Sequence, residues 1–143
     1  MTSVLIDTNI IIDVFGLETP FKDWSSRTIL ALKQDVQFVL SPIVWAELAG
    51  MMASEDALAQ TLSRLNPVRE ALPFSAAYQA GLAHQRYRRA GGLRERTLPD
   101  FLIGAHAAVR AHRLLTRDAA RYRSYFPALD IISPETHPRR ILP

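Results

Sequence analysis

The sequence predicts an α/β domain of three layers, α/β/α, with helices on both faces of a mainly parallel central sheet. Three observations lead there. Short apolar runs recur at Val4 to Ile6, Val36 to Leu40, Leu114 to Thr116 and Asp130 to Ser133, too short for helices and without the alternation of a half-exposed strand. Longer stretches with helically spaced apolar residues lie between them, so strand and helix alternate. The chain of 143 residues is long enough for one core and needs no staple. Residues 1–143 therefore read as a single domain, with a Pro-rich C-terminal tail, 134–143, left outside the pattern.

The first run stops on Asp7-Thr8-Asn9, residues that favour a turn or a helix cap. Ile10-Ile11-Ile12 then leads into a short helix that Gly16 ends. Asp13 in that helix reads as a solvated or supporting acid. Phe21, Trp24, Thr28, Ile29 and Leu32 give a helical stripe to about Lys33. After the strand at Val36 to Leu40, Ser41-Pro42 is an N-cap followed by Pro at the first helical position. The helix it opens is apolar nearly all round, which predicts burial. Its one charge is Glu47, and no other ionisable side chain occurs between Asp35 and Glu55. A buried carboxylate there must be protonated, paired or metal-bound; the bland alternative is a tip that reaches solvent.

Glu55 to Leu65 is a further helix, broken at Asn66-Pro67, and Glu70 to Phe74 is a candidate short strand. Ser75 can cap a long helix that ends near Ala90 at Gly91-Gly92. This diglycine lacks the spacing and the following Lys-Ser/Thr of a nucleotide-binding loop. Thr97-Leu98-Pro99-Asp100 starts another apolar helix, and Thr97 with Asp100 resembles a capping box. Asp100 is also the sole acid between Glu95 and Asp118, so a cap and a ligand both fit. The third strand ends at Thr116-Arg117-Asp118, where Asp118 can cap the helical turn from Ala119 to Tyr122. The fourth strand lies within Asp130 to Ser133. His84, His106, His112 and His137 show no metal-binding spacing, which predicts surface or helix-edge roles for each. Trp45 reads as core, and Trp24, Met51 and Met52 as core or contact residues.

Composition narrows the chemistry. There is no cysteine, hence neither disulfide framework nor thiolate metal site. No basic leader followed by an apolar stretch and no 18-residue apolar run is present, which predicts a cytoplasmic protein with no membrane partner. The net charge of +3 is unevenly spread: residues 1–85 carry five basic and nine acidic side chains, residues 86–143 twelve and five, all twelve being Arg. Arg86, Arg88, Arg89, Arg94 and Arg96, opposed by Glu95 alone, make either a solvated helix end or a phosphate-binding lobe.

In an open parallel sheet, sites form at the carboxyl ends of strands. Asp7 and Asp118 fall at such ends, and Glu47 and Asp100 lie early in helices that pack nearby. Four carboxylates without Cys or a His cluster suit hard, oxygen-loving cations such as Mg²⁺ or Mn²⁺. That chemistry is metal-assisted phosphoryl transfer.

With Val4-Leu5-Ile6-Asp7-Thr8-Asn9, Glu47, Pro99-Asp100-Phe101-Leu102-Ile103-Gly104-Ala105-His106-Ala107 and Leu114-Leu115-Thr116-Arg117-Asp118 in this order, the chain resembles the PIN domain. In size and motif order it resembles the VapC-like toxic ribonucleases of bacterial toxin-antitoxin pairs. The resemblance spans nearly the whole chain. It implies an acidic quartet of Asp7, Glu47, Asp100 and Asp118, supported by Thr8, Asn9 and Thr116, holding one or two Mg²⁺ or Mn²⁺ ions. It implies an endoribonuclease that hydrolyses RNA and inhibits translation by cutting tRNA or rRNA, a small cognate antitoxin and a homodimer. Arg86, Arg89, Arg94, Arg96 and Arg117 are the expected RNA contacts. Lack of a convincing His pair argues against a route through the 2′-hydroxyl and predicts 5′-phosphate products. A phosphatase or receiver-like domain fits less well, since Asn9 and Arg117 stand where those need an acid and a Lys. A catalytically inert RNA-binding or scaffold domain of the same fold is the remaining alternative.

Overall fold

The computed structural model describes residues 2–16, 18–92 and 96–138. Among them, five strands form one parallel sheet in the order β3-β2-β1-β4-β5. The strands are β1 (Thr2–Ile6), β2 (Val36–Leu40), β3 (Val68–Arg69), β4 (Arg113–Leu115) and β5 (Ile131–Ile132). Two helices, α1 (Thr8–Phe15) and α2 (Lys22–Leu32), connect β1 to β2, and α3 (Pro42–Leu48) and α4 (Glu55–Leu62) connect β2 to β3. Next, α5 (Phe74–Arg89) and α6 (Leu98–Val109) return the chain to β4, and α7 (Ala120–Arg123) precedes β5. The chain thus winds outward from β1 in both directions, and for parallel strands joined by right-handed crossovers, the rule in such sheets, that puts the two sets of helices on opposite faces.

Burial follows the apolar runs. Val4, Leu5 and Ile6 are fully buried, as are Leu114, Leu115 and Ile132, so the inner strands are covered on both faces. Ile10 and Ile11 of α1, Val44 and Leu48 of α3, and Ile103 and Ala107 of α6 join the same core. A smaller cluster packs α5 on α6 through Ala76, Ala80 and Ala83 against Phe101 and Ala105. Small side chains on this seam let the two helices approach closely. No described helix is long and apolar enough to cross a membrane.

Several boundaries and one burial expectation change. The strand expected over Glu70 to Phe74 lies earlier, at Val68–Arg69, and α5 begins at Phe74 after Pro73 with no side-chain cap. Val68 and Arg69 pair with Val39 and Leu40 at the sheet edge, where little apolar patterning is needed. The helix opened by Ser41 is not buried all round. It is α helical only to Leu48, and of its residues only Val44 and Leu48 are buried, while Ala46 and Glu47 face solvent. Trp45 is half-buried rather than core: its Nε1 donates to Glu55 at 2.8 Å and the Arg69 guanidinium lies over its ring. An apolar sequence marked a helix on the domain's rim. The described part of the C-terminal tail is tied down, with Trp24 Nε1 donating to the His137 carbonyl at 2.9 Å and Arg123 pairing with Glu135.

Candidate active site

The winding reverses between β1 and β4, and a crevice at the carboxyl ends of such a strand pair is where α/β sheets place ligands. Asp7 follows β1 directly. Its backbone N–H donates to the Leu115 carbonyl at 2.9 Å, which locks the end of β1 to the end of β4. Its side chain caps α1 by accepting from the Thr8 N–H at 2.7 Å. The other carboxylate oxygen accepts from the Thr116 hydroxyl at 2.8 Å and from the Tyr122 hydroxyl at 2.7 Å. Asn9 Nδ2 stands 3.2 Å from Thr116 Oγ1 and 3.4 Å from Asp7 Oδ2, and Asn9 Oδ1 accepts from the Arg117 N–H. Every donor that fixes Asp7 is neutral, and Asp7 is only 3 % exposed. Burial therefore outweighs those bonds and lifts its carboxyl from 3.8 to about 6.

The other three acids arrive from three elements. Glu47, on the exposed side of α3, accepts from the Thr8 hydroxyl at 2.6 Å, so Thr8 joins Glu47 to the Asp7 turn. Asp100 sits in the first turn of α6, where its Oδ2 accepts from the Thr97 backbone N–H at 3.1 Å. Its other oxygen meets Arg121 Nη1 at 3.2 Å. Asp118, just beyond β4, pairs with Arg121 Nε at 3.3 Å and accepts from the Arg121 N–H. The two readings of Asp100 are thus compatible: one oxygen caps α6 and the other is left to pair with a cation, here Arg121. Burial works against charge on Arg121, but Asp100 and Asp118 outweigh it and raise the guanidinium's pKa.

Tyr122 is the site residue that sequence reasoning missed. Tyr122 is buried beside α6 because Gly104 leaves room: a Cβ there would come within 2.6 Å of the Phe126 ring and 3.0 Å of Tyr122. Burial first, then the Asp7 charge, holds the Tyr122 hydroxyl protonated well above its ordinary value, so it stays a donor. The glycine within the apolar helix was the available signal for a close approach.

The expected basic patch is dispersed. Arg86 and Arg89 are exposed in the last turn of α5, with the Arg86 guanidinium 5.9 Å from the Tyr125 ring centroid. Arg96 Nη2 donates to the Ala120 carbonyl at 3.1 Å, beside α7 and the acidic pocket. Arg117 leans over Phe21 and lies 3.6 Å from Asp13. Arg94 falls outside the described residues. Asp13 is fully buried, not solvated, and its oxygens accept from Thr19 and Ser25, tying α1 to α2.

A second cluster was not anticipated. His106 and His112 are buried rather than at the surface, and both Nε2 atoms approach Glu70 Oε1, at 2.9 and 2.7 Å. Spacing gave no hint, because six residues separate the histidines and Glu70 comes from another segment.

Carboxylate oxygens are the donor type that hard divalent cations prefer. Asp7, Glu47, Asp100 and Asp118 offer such oxygens, and a guanidinium already bridges two of these acids as a stand-in cation.

Comparison with known proteins agrees with this geometry. A family model described as PIN domain matches residues 4–126. The fold is similar to a VapBC2 complex from Rickettsia felis bound to a promoter DNA fragment, with TM-score 0.69 and 19 % identity over 92 % of this chain and 98 % of that one. A toxin-antitoxin complex from Klebsiella pneumoniae is similar at TM-score 0.63 and 25 % identity, over 92 % of this chain and 97 % of that one. VapBC-1 from nontypeable Haemophilus influenzae gives TM-score 0.66 and 18 % identity, over 92 % and 98 %. Among curated proteins, none matches the sequence significantly.

Proposed function

This chain belongs to the PIN-domain family, and on that premise we propose that it is a metal-dependent endoribonuclease, the toxin of a toxin-antitoxin pair. The observation that carries the reading is the bridge of Arg121 between Asp100 and Asp118, beside Asp7 and the Thr8–Glu47 pair. Arg121 offsets the repulsion between Asp100 and Asp118, and Asp7 lies where the sheet winding reverses.

Asp7, Asp100 and Glu47 would hold one or two Mg²⁺ or Mn²⁺ ions, with Asp118 as a further ligand or acting through water. A bound ion supplies an acidified water and neutralises charge on the scissile phosphate. Thr8, Asn9, Thr116 and Tyr122 keep the carboxylates oriented. Arg121, released from the acids when a cation takes its place, can pair with a substrate phosphate, and Arg86, Arg89, Arg96 and Arg117 hold the RNA backbone. The histidine pair does not revive a route through the 2′-hydroxyl. His106 is fully buried, and it lies six residues beyond Asp100, about 9 Å along α6. A similar structure is a toxin-antitoxin complex, and the proposal includes a cognate antitoxin that covers the acidic residues, and a homodimer.

The test is cleavage of defined tRNA and rRNA fragments by the antitoxin-free chain, with Mg²⁺ or Mn²⁺ and with EDTA, reading the product ends. Metal-dependent cutting that leaves 5′-phosphates is expected. Products ending in 2′,3′-cyclic phosphate, or cutting that survives EDTA, would overturn the mechanism. RNA bound but never cut would favour the inert RNA-binding domain.

A further inference from the structure

We propose that Glu70, His106 and His112 form a second metal site, specific for a transition-metal dication of the Zn²⁺ type and independent of the acidic pocket. The side chains come from three segments: Glu70 follows β3, His106 lies in the last turn of α6 and His112 leads into β4. One ligating atom from each lies within 4.8 Å of the other two. Glu70 Oε1 contacts His106 Nε2 at 2.9 Å and His112 Nε2 at 2.7 Å. In a tetrahedral site with bonds of about 2.0–2.1 Å, ligand atoms sit about 3.3 Å apart. Widening these two contacts by about half an ångström therefore makes room for the ion.

The surroundings favour ligation. His112 is held by Ser3 of β1, whose Oγ lies 2.5 Å from Nδ1, which leaves Nε2 aimed at Glu70. Such a partner on the far ring nitrogen is what orients metal-binding imidazoles. His106 is completely buried, and its Nδ1 has no hydrogen-bond partner among the described residues. Its Nε2, aimed at Glu70, is therefore the ring nitrogen through which His106 meets a polar partner. The Glu70 side chain is 18 % exposed, so the cluster has an edge open to water, both for entry and for a fourth ligand. Glu70 also lines a surface pocket of about 240 Å³ with Trp45 and Arg69.

Two imidazoles and one carboxylate select borderline cations such as Zn²⁺ over Mg²⁺, which prefers oxygen alone. Arg110, at 3.4 Å from Glu70 Oε1, is the competitor, and its half-exposed side chain can turn to solvent. Bound there, an ion would tie the two-residue edge strand β3 to α6 and β4. None of this depends on the nuclease reading.

The experiment is titration of the full chain with Zn²⁺ by calorimetry under excess Mg²⁺, paired with Co²⁺ substitution read by visible absorption. One ion per chain with micromolar or tighter affinity is expected, with the d–d bands of four-coordinate Co²⁺. Glu70→Gln and His112→Gln should weaken binding by about 100-fold or more, Ser3→Ala by about 10-fold, whereas Arg110→Ala should tighten it. Asp100→Asn, in the acidic pocket, should leave Zn²⁺ affinity within about twofold. Circular dichroism checks that each variant is folded, and Glu70→Gln, at a partly exposed side chain, keeps the test valid if His112→Gln unfolds. No Zn²⁺ binding by the wild type, or binding lost in Asp100→Asn and kept in Glu70→Gln, would overturn the assignment.

Discussion

Asp7 and Glu70 are both carboxylates at the ends of parallel strands, yet the fold treats them in opposite ways. Asp7 is sealed in, and its donors are two hydroxyls, an amide and a backbone N–H, all neutral. Its carboxyl rises to about 6. Glu70 keeps contact with solvent and meets two imidazoles and a guanidinium. Burial would raise its pKa, but the bonds from His112 and His106 and the nearby charges outweigh that and lower it. At one site the carboxylates outnumber the guanidinium between them, in keeping with the hard cation proposed there. The other is already balanced, and its nitrogen donors select a different kind of ion. A carboxylate's role thus follows from the donors around it more than from its position on a strand.

The largest expected effect lies at the acid-rich site. Asp7→Asn or Asp100→Asn should reduce RNA cleavage by about 100-fold or more while leaving a folded protein, measured as single-turnover rate in Mg²⁺. Retained activity in either variant would break the contrast, since the acidic pocket would no longer be the one that works on phosphate.

Stability should respond in the reverse sense to activity. A carboxyl raised from 3.8 to about 6 opposes folding once ionised, by up to about 3 kcal/mol. Its contribution is most favourable below pH 3.8 and is lost as pH rises through about 6. Without divalent ions, Asp7→Asn should therefore be more stable than wild type by about 1–3 kcal/mol at pH 8. The gain should shrink through pH 6 and vanish below about 4, as urea melts across pH would show.

Glu70 sharpens the comparison because its sign is opposite. Its lowered pKa contributes stability above the unfolded value of 4.5, and that stability is lost as pH falls through the folded value. Metal-free Glu70→Gln should be destabilised by about 1 kcal/mol at neutral pH, and the difference from wild type should close in acid. Tyr122→Phe comes next. It removes one of the bonds that hold Asp7 charged, costs about 1 kcal/mol, and should shift the pH at which Mg²⁺ stabilises the protein upward. The smallest effect is expected from Arg86→Ala with Arg89→Ala. RNA binding should weaken a fewfold, and the slope of log K against log salt should fall by about 1–2.

Which parts of this were legible in advance follows from where each signal is stored. The inner strands could be read because burial on both faces writes an apolar run into contiguous residues. Ser41-Pro42 and the Asp7 turn could be read because caps are local chemistry: Ser41 accepts from the Ile43 N–H and Asp7 from the Thr8 N–H. The acids Asp7, Glu47, Asp100 and Asp118 stood out because each interrupts an apolar stretch. That same reasoning misjudged the burial of the helix that carries Glu47, since apolar residues on a rim helix are compatible with solvent on one side.

The alternation of strand and helix, the apolar core of the sheet and the candidate acids can be read from the order of residues alone, because these rest on periodicity and on neighbours in the chain. Which side chains meet is settled by the folding of the chain in three dimensions. Tyr122 reaches Asp7 across 115 positions, and Glu70 meets His106 and His112 across 36 and 42. Such contacts are set by strand order and by one glycine's worth of space on α6, and neither quantity is carried by any local run of residues.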